Sequence, residues 1–187
     1  MEPFSIRTYT GRCFRLDDVD PESVDIVDIS HALGNLCRFA GHSSRFYSIA
    51  QHSCATAAIA PLYGMTIGRQ LQQLCLLHDA SEAYCSDIVS PLKPMIDGYK
   101  ALEKSIQDAI WKRFGCDIDD ELMLKVKEID RKVLEYESSV LLPKSDTYFG
   151  ANLLTSTLSK VIDQYWSPDK AKSMMMEQYL KLFAHRL

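Results

Sequence analysis

LLHDASEAYCSDIVSPLKP, residues 76–94, is the stretch on which the reading of this chain turns. It begins inside an apolar run, Leu71, Leu74, Cys75 and Leu77, whose spacing predicts a helix from about Arg69 to Tyr84 in a central, well-buried position. His78 and Asp79 stand side by side near its end. Adjacent helical residues diverge by roughly 100°, so both reach one ion only if it lies between their two directions. Glu82 follows His78 by four positions and Asp79 by three, which puts a carboxylate on their face of the helix, beside such an ion. Pro91 and Pro94 disfavour helix at the residues before them, so Ser86–Pro94 reads as a loop. Asp87, just past the helix end, is placed to orient an attacking water or a leaving oxygen.

Two further polar residues occupy positions where periodicity calls for core. His52 is flanked at helical offsets by Ile49, Ala55 and Ile59, and Asp130 by Val126, Val133 and Leu134. A carboxylate on an apolar face costs several kcal/mol unless it takes a proton or finds a cation, and one metal ion satisfies both residues at once. The resulting set, His52, His78, Asp79 and Asp130, mixes nitrogen and oxygen donors. It suits a divalent Mn, Fe, Co, Ni or Zn ion, with positions left for water and a phosphate oxygen. Such an ion lowers the pKa of bound water and draws charge from a phosphoryl group. Arg38, Arg45 and Lys93 lie in loops or at element ends, where they are candidates to clamp phosphate oxygens.

Each residue taken singly has a plainer reading. A buried histidine is more often a hydrogen-bonded core residue than a ligand, and a His-Asp dipeptide is common by chance. Asp130 has Arg131 beside it as a surface partner, and the three cations are ordinary solvated charges. His31 and His42 have no spacing that assigns them a role. The joint pattern, one histidine and one carboxylate on separate apolar helices around a His-Asp pair with a glutamate a turn later, is what favours the metal.

Working outward, the N-terminal segment with IRTYT, Gly11 and DDVDPES predicts a short extended arm or hairpin. Helices are predicted over Asp25–Leu36, from Ser48 to Ala60 ahead of Pro61, over Ile96–Phe114, over Glu121–Leu142 and over Pro168–Ala184, with Cys37–Ser44 as a loop. No repeat or long linker divides the chain. The expectation is one all-α domain over residues 1–187, a bundle of six or seven helices behind a short extended arm.

Composition narrows the function classes. The chain has 187 residues, is 47% hydrophobic and 25% charged, and carries a formal charge of −4, so it has no basic surplus for nucleic-acid binding. Six cysteines are scattered without a CxxC pair, which argues against a structural zinc site. No stretch approaches the roughly 18 apolar residues of a membrane span, and the N-terminus lacks the pattern of a secretory signal. A cytoplasmic protein with reduced thiols is expected, with no membrane and no nucleic-acid partner.

The order His52, His78-Asp79, Asp130 resembles the HD superfamily of metal-dependent phosphohydrolases. HDASEAYCSDIVSPLK is similar to the corresponding stretch of bacterial HD-domain 5′-deoxynucleotidases, and the likeness extends through CRFAGHSSRFYSIAQHS, residues 37–53. The segment RFAGHSSRFYSIAQHS is also similar to phage members that release triphosphate from dATP. The resemblance implies that His52, His78, Asp79 and Asp130 ligate the metal, that Glu82 is a catalytic acid or base with Asp87 as its partner, and that Arg38 binds phosphate. In the deoxynucleotidases a tryptophan that helps reject the ribose 2′-hydroxyl follows the arginine; here Phe39 follows Arg38. The implied substrate is a small deoxyribonucleotide, a monophosphate or a triphosphate, and homo-oligomers are common in the family. Hydrolysis of alarmones or cyclic nucleotides is a rival reading. It is weakened by Ala83 after Glu82, where the alarmone group has an acidic residue. A non-catalytic nucleotide-binding protein is the remaining alternative.

Overall fold

The computed structural model describes residues 3–63, 68–143 and 152–184. Its N-terminal arm is a hairpin of β1 (Ser5–Arg7) and β2 (Cys13–Arg15), antiparallel in the register Ser5↔Arg15, Ile6↔Phe14, Arg7↔Cys13. The hairpin is fastened to the helices rather than loose. Phe14 is fully buried with its ring stacked 3.9 Å from that of Tyr84, and both the amide and the hydroxyl of Thr10 donate to the buried carboxylate of Asp28.

The helices are α1 (Ile26–Asn35), α2 (Ile49–Ile59), α3 (Gly68–Leu77), α4 (Glu82–Cys85), α5 (Tyr99–Phe114), α6 (Asp120–Leu141), α7 (Leu153–Ile162) and α8 (Pro168–Phe183). Among the described residues seven of them run ten residues or more and α4 is a single turn, so the expected all-α bundle with an extended arm is what the chain forms. Side-chain oxygens of Asp25, Ser48, Asp119, Asn152 and Ser167 accept from the first-turn amides of α1, α2, α6, α7 and α8, and caps of this kind contribute about 1 kcal/mol each. No helix of the described residues is long and apolar enough to cross a membrane.

The centre of the bundle differs from the sequence expectation. It belongs to α2, which is buried along almost its whole length and packs against α1, α3, α6, α7 and α8. Small residues, Ala50, Ser53, Ala55 and Ala57, let neighbours approach it from every side. Helix α7 was not anticipated at all, although its Asn152 and Thr155 form a reciprocal capping box.

The second difference lies at the decisive stretch. The helix expected from Arg69 to Tyr84 stops at Leu77, residues 78–81 form a turn, and α4 starts afresh at Glu82. The cause is Gln107 on α5. Its side-chain nitrogen donates to the Leu77 carbonyl at 2.8 Å and its oxygen accepts from the Ser81 amide at 3.0 Å. Those two backbone groups would bond to each other in a continuous helix, so the inserted amide opens the ladder. Ala80 then closes a tighter turn onto the Leu77 carbonyl at 3.1 Å.

Candidate metal centre and active-site cavity

The opened turn frees His78 and Asp79 from strict helical divergence. His78 Nε2 lies 3.3 Å from Asp79 Oδ2 and 3.2 Å from His52 Nε2, which α2 delivers from the core. Asp130 arrives from the middle of α6, with Oδ1 3.1 Å from His52 Nε2 and 3.7 Å from His78 Nε2. One donor atom each from His52, His78 and Asp79 fall within 4.8 Å of one another, a cluster able to hold a metal ion, and Asp130 adjoins it.

Hydrogen-bond chemistry shows why this cluster calls for a cation. Nδ1 of His52 is 2.6 Å from Glu137 Oε1, and Nδ1 of His78 is 2.8 Å from the Cys75 carbonyl oxygen. Carbonyl oxygens accept only, and an ionised carboxylate does too, so both Nδ1 atoms carry the ring proton. Two neutral imidazoles would then face each other with bare Nε2 lone pairs at 3.2 Å, beside two carboxylate oxygens. Asp130 Oδ1 is buried and no aligned hydrogen bond reaches it, although three nitrogens surround it within 3.9 Å. Four acceptors converging on one point are stable around positive charge and unstable without it.

The titration behaviour expresses the same demand. Burial opposes a charge on His78, yet Asp79 and Asp130 lift its imidazole to about 9. Burial and Arg38 oppose a charge on His52, and Glu137 and Asp130 still raise it. Burial pushes the Asp130 carboxyl up, but the adjoining His52 and His78 imidazoles carry it well below the carboxylate range. The donor set therefore fits a divalent cation, and its nitrogen–oxygen composition suits a first-row transition metal.

Above the centre opens a cavity of about 390 Å³. Arg38, Phe39, Asp79, Glu82, Asp87, Lys93 and Asp130 all line it, joined by Ile88, Val89, Ser90, Pro91 and Leu134, which sequence reasoning had not singled out. Arg38 is the hub of its inner side: Nε donates to Glu137 Oε2 at 3.0 Å, while Nη1 and Nη2 stand 3.6 Å from Asp79 and 3.9 Å from Asp130. Phe39 and Ala40 follow with φ of 59° and 49°, consecutive left-handed residues that cost about 1–3 kcal/mol each and hold the Phe39 ring 5.6 Å from the guanidinium.

On the outer side Glu82 is 4% exposed, and its Oε2 has no hydrogen-bond partner. Burial first, then the charges of Asp79 and Asp87, push its carboxyl up to about 9 against the pull of Lys93 and Arg38. Ser86, at φ 69°, turns the chain sharply and carries Asp87 onto the cavity, where burial raises its carboxyl as well. Lys93 Nζ is 2.6 Å from Glu103 Oε1 and 3.6 Å from Glu82 Oε1.

Arg45 is not brought to this group. Its guanidinium donates to the carbonyl of Ile162 at the end of α7, and it is not among the residues lining the cavity. His31 stacks on Tyr9 with ring centroids 3.7 Å apart, and neither it nor His42 lines the cavity. Glu137 and Tyr47 are the residues missed: both are fully buried, and the Tyr47 hydroxyl donates to Glu137 at 2.7 Å. Glu137 was detectable in principle, since it follows Asp130 by seven positions on the stripe of Val126, Val133 and Leu141.

Known proteins resemble this chain over part of its length. The chain is 39% identical over 110 residues to the uncharacterized protein YfdR of Escherichia coli K12, a match covering 59% of this chain and 58% of that one. It is 33% identical over 112 residues to an uncharacterized protein of Rhodobacter capsulatus, covering 58% and 57%. The chain thus spans less than three-fifths of the length of the curated relatives it matches. A sequence profile of the HD domain matches residues 38–149, which include Arg38, His52, the His78-Asp79 turn and Asp130, and on that match the chain belongs to the HD-domain family.

Proposed function

We propose that this protein hydrolyses the 5′ phosphoester of deoxyribonucleoside monophosphates, releasing a deoxynucleoside and phosphate. The observation that carries the reading is a buried Glu82 with an unpartnered oxygen beside a cluster able to hold a cation, in a cavity that also presents Arg38 and Lys93. When bound at His52, His78, Asp79 and Asp130, a divalent ion such as Mn²⁺, Co²⁺, Fe²⁺, Ni²⁺ or Zn²⁺ supplies a Lewis acid that draws charge from a phosphoryl oxygen and acidifies water.

The protein's own groups divide the remaining work. Arg38 and Lys93 hold the phosphate oxygens as charge shifts among them. Water adds to phosphorus as the bond to the 5′ oxygen breaks. Asp87 orients the water and accepts its proton, and Glu82 donates its own proton to the departing 5′ oxygen. Burial, the first cause of the raised Glu82 carboxyl, acts whether or not Asp79 is neutralised by a metal and favours the protonated acid.

Arg38 and Lys93 are the two cations among the described residues lining the cavity, and each is already matched by a carboxylate, Glu137 and Glu103, which favours the smaller charge of a monophosphate over that of a triphosphate. Phe39 offers the sugar an apolar ring with no hydrogen-bond partner for a 2′-hydroxyl, and such a wall discriminates by only about 10²-fold.

The test is chromatography of Mn²⁺-supplemented reactions on mixed deoxyribonucleoside mono- and triphosphates, with ribonucleotides, alarmones and cyclic nucleotides in parallel. Deoxynucleosides and inorganic phosphate from the monophosphates are expected. Release of intact triphosphate would transfer the assignment to triphosphate hydrolysis, and product from alarmones or cyclic nucleotides alone would overturn it. Asp79→Ala is expected to remove turnover while helical circular dichroism is retained.

A further inference from the structure

Glu137 takes no part in the chemistry just described, yet it is the most completely enclosed charge near the centre. It is 0% exposed, and its carboxylate collects three donors: the Tyr47 hydroxyl at 2.7 Å and His52 Nδ1 at 2.6 Å on Oε1, and Arg38 Nε at 3.0 Å on Oε2. We propose that Glu137 is a positioning residue that fixes which nitrogen of His52 faces the metal and, through the same carboxylate, aims Arg38 at the phosphate. The inference rests on the metal reading above and goes beyond it, because it assigns one residue joint control of the metal side and the anion side.

An imidazole presents either Nδ1–H with an Nε2 lone pair or the reverse, and only the first can ligate from the position His52 occupies. A carboxylate against Nδ1 enforces the first form, as carboxylates behind metal-bound histidines do. The guanidinium of Arg38 and the two further donors on its carboxylate suit Glu137 as an anion. Arg38 depends on the same group. With Nε anchored on Oε2, its two terminal nitrogens project towards Asp79 and Asp130 at the cavity floor. Residue 137 lies two turns beyond residue 130 on α6, so one rigid helix carries both the ligand and the group that orients its partner ligand.

Glu137→Gln is the discriminating substitution. A carboxamide has one accepting oxygen and one donating nitrogen. If the nitrogen faces His52, the ring must flip to Nε2–H and close the metal position; if it faces Arg38, two donors collide and the guanidinium is released. Metal-stripped wild-type and E137Q proteins, matched for helical circular dichroism, are titrated with Mn²⁺ by calorimetry, and the His52 ring is read by ¹H–¹⁵N correlation in the Zn²⁺-loaded proteins. The expected result is a 10–100-fold weaker Kd for Mn²⁺ in E137Q and a ring proton on Nδ1 of His52 in the wild type. A folded E137Q that binds Mn²⁺ as tightly as the wild type overturns the inference while leaving the metal reading intact. If E137Q does not fold, the wild-type ring decides alone: a proton on Nδ1 supports the role, and metal on Nδ1 removes it. A wild-type protein that takes up neither ion overturns the metal reading, and this inference with it.

Discussion

On the inner side of the cavity the buried charges answer one another. Glu137 receives Arg38, Tyr47 and His52, and Arg38 in turn faces Asp79 and Asp130. On the outer side the opposite holds: Glu82 has a buried oxygen with no partner, stands near two like charges, and shares Lys93 with Glu103. The supporting backbone differs in the same sense. Of the inner groups His52 sits on α2 and Asp130 and Glu137 on α6, whereas Asp87 and Lys93 sit on the segment between α4 and α5. A satisfied network gives fixed geometry, and an unsatisfied, desolvated carboxyl gives a pKa suited to moving a proton. The contrast assigns geometry to one wall and proton transfer to the other, and it can be broken from either side.

The largest effect is expected at Glu82. Glu82→Gln keeps the shape and the neutrality of the protonated acid but removes the transferable proton, so kcat should fall about 10²–10⁴-fold. Mn²⁺ stoichiometry and Kd should stay at wild-type values. In the wild type, kcat should decline towards alkaline pH as Glu82, its carboxyl raised by burial, loses its proton. A variant that loses metal along with turnover would place Glu82 on the geometric wall and dissolve the distinction.

The two walls also differed in how far they could be read from sequence. His52 and Asp130 are polar interruptions of apolar stripes, a local signal, and both come to the centre. Glu137 carries that signal equally, since it lies on the buried stripe of α6, but its function depends on Tyr47 and Arg38, some ninety positions away, and no local pattern contains them. The break at residues 78–81 is of the same kind. The run through Leu77 reads as continuous helix, and what opens it is Gln107, on another helix, competing for the Leu77 carbonyl and the Ser81 amide. Arg45 shows the converse: a cation in a loop reads as a phosphate clamp, but here it is spent on a carbonyl of α7, the helix the reading lacked. Helix periodicity was legible because it is a property of neighbours in the chain; the partners of each charge were not, because tertiary packing chooses them.

A smaller effect is expected at Lys93. Its ammonium is held over the cavity by Glu103, so Lys93→Ala should remove one charge-assisted contact to phosphate, about 1.5–3 kcal/mol, or about 10–100-fold in kcat/KM. Most of the loss should appear in KM if Lys93 binds phosphate equally in ground and transition states. A drop confined to kcat would show that Lys93 acts instead by tuning Glu82, 3.6 Å away.

The smallest effect is thermodynamic and separates the walls without any substrate. In metal-free protein Glu82 holds its proton to about 9, whereas the unfolded chain releases it near the ordinary value of 4.5. Between those values the folded state binds more protons than the unfolded state, so this residue makes stability fall as pH rises. Glu137 has the opposite sign: its folded carboxyl lies at about 2, so its contribution is full above the ordinary value and is lost as pH falls towards 2. His78, raised to about 9, also loses its contribution as pH rises, but that loss is common to wild type and Glu82→Gln and cancels in their difference. The melting temperature of metal-free Glu82→Gln should therefore match the wild type near pH 4.5 and exceed it increasingly towards pH 9. Each kcal/mol recovered corresponds to about 2–4 °C in a chain of this size. A difference that stays flat with pH would mean that Glu82 is solvated in the free protein, and the outer wall would then lack the desolvated acid on which its role depends.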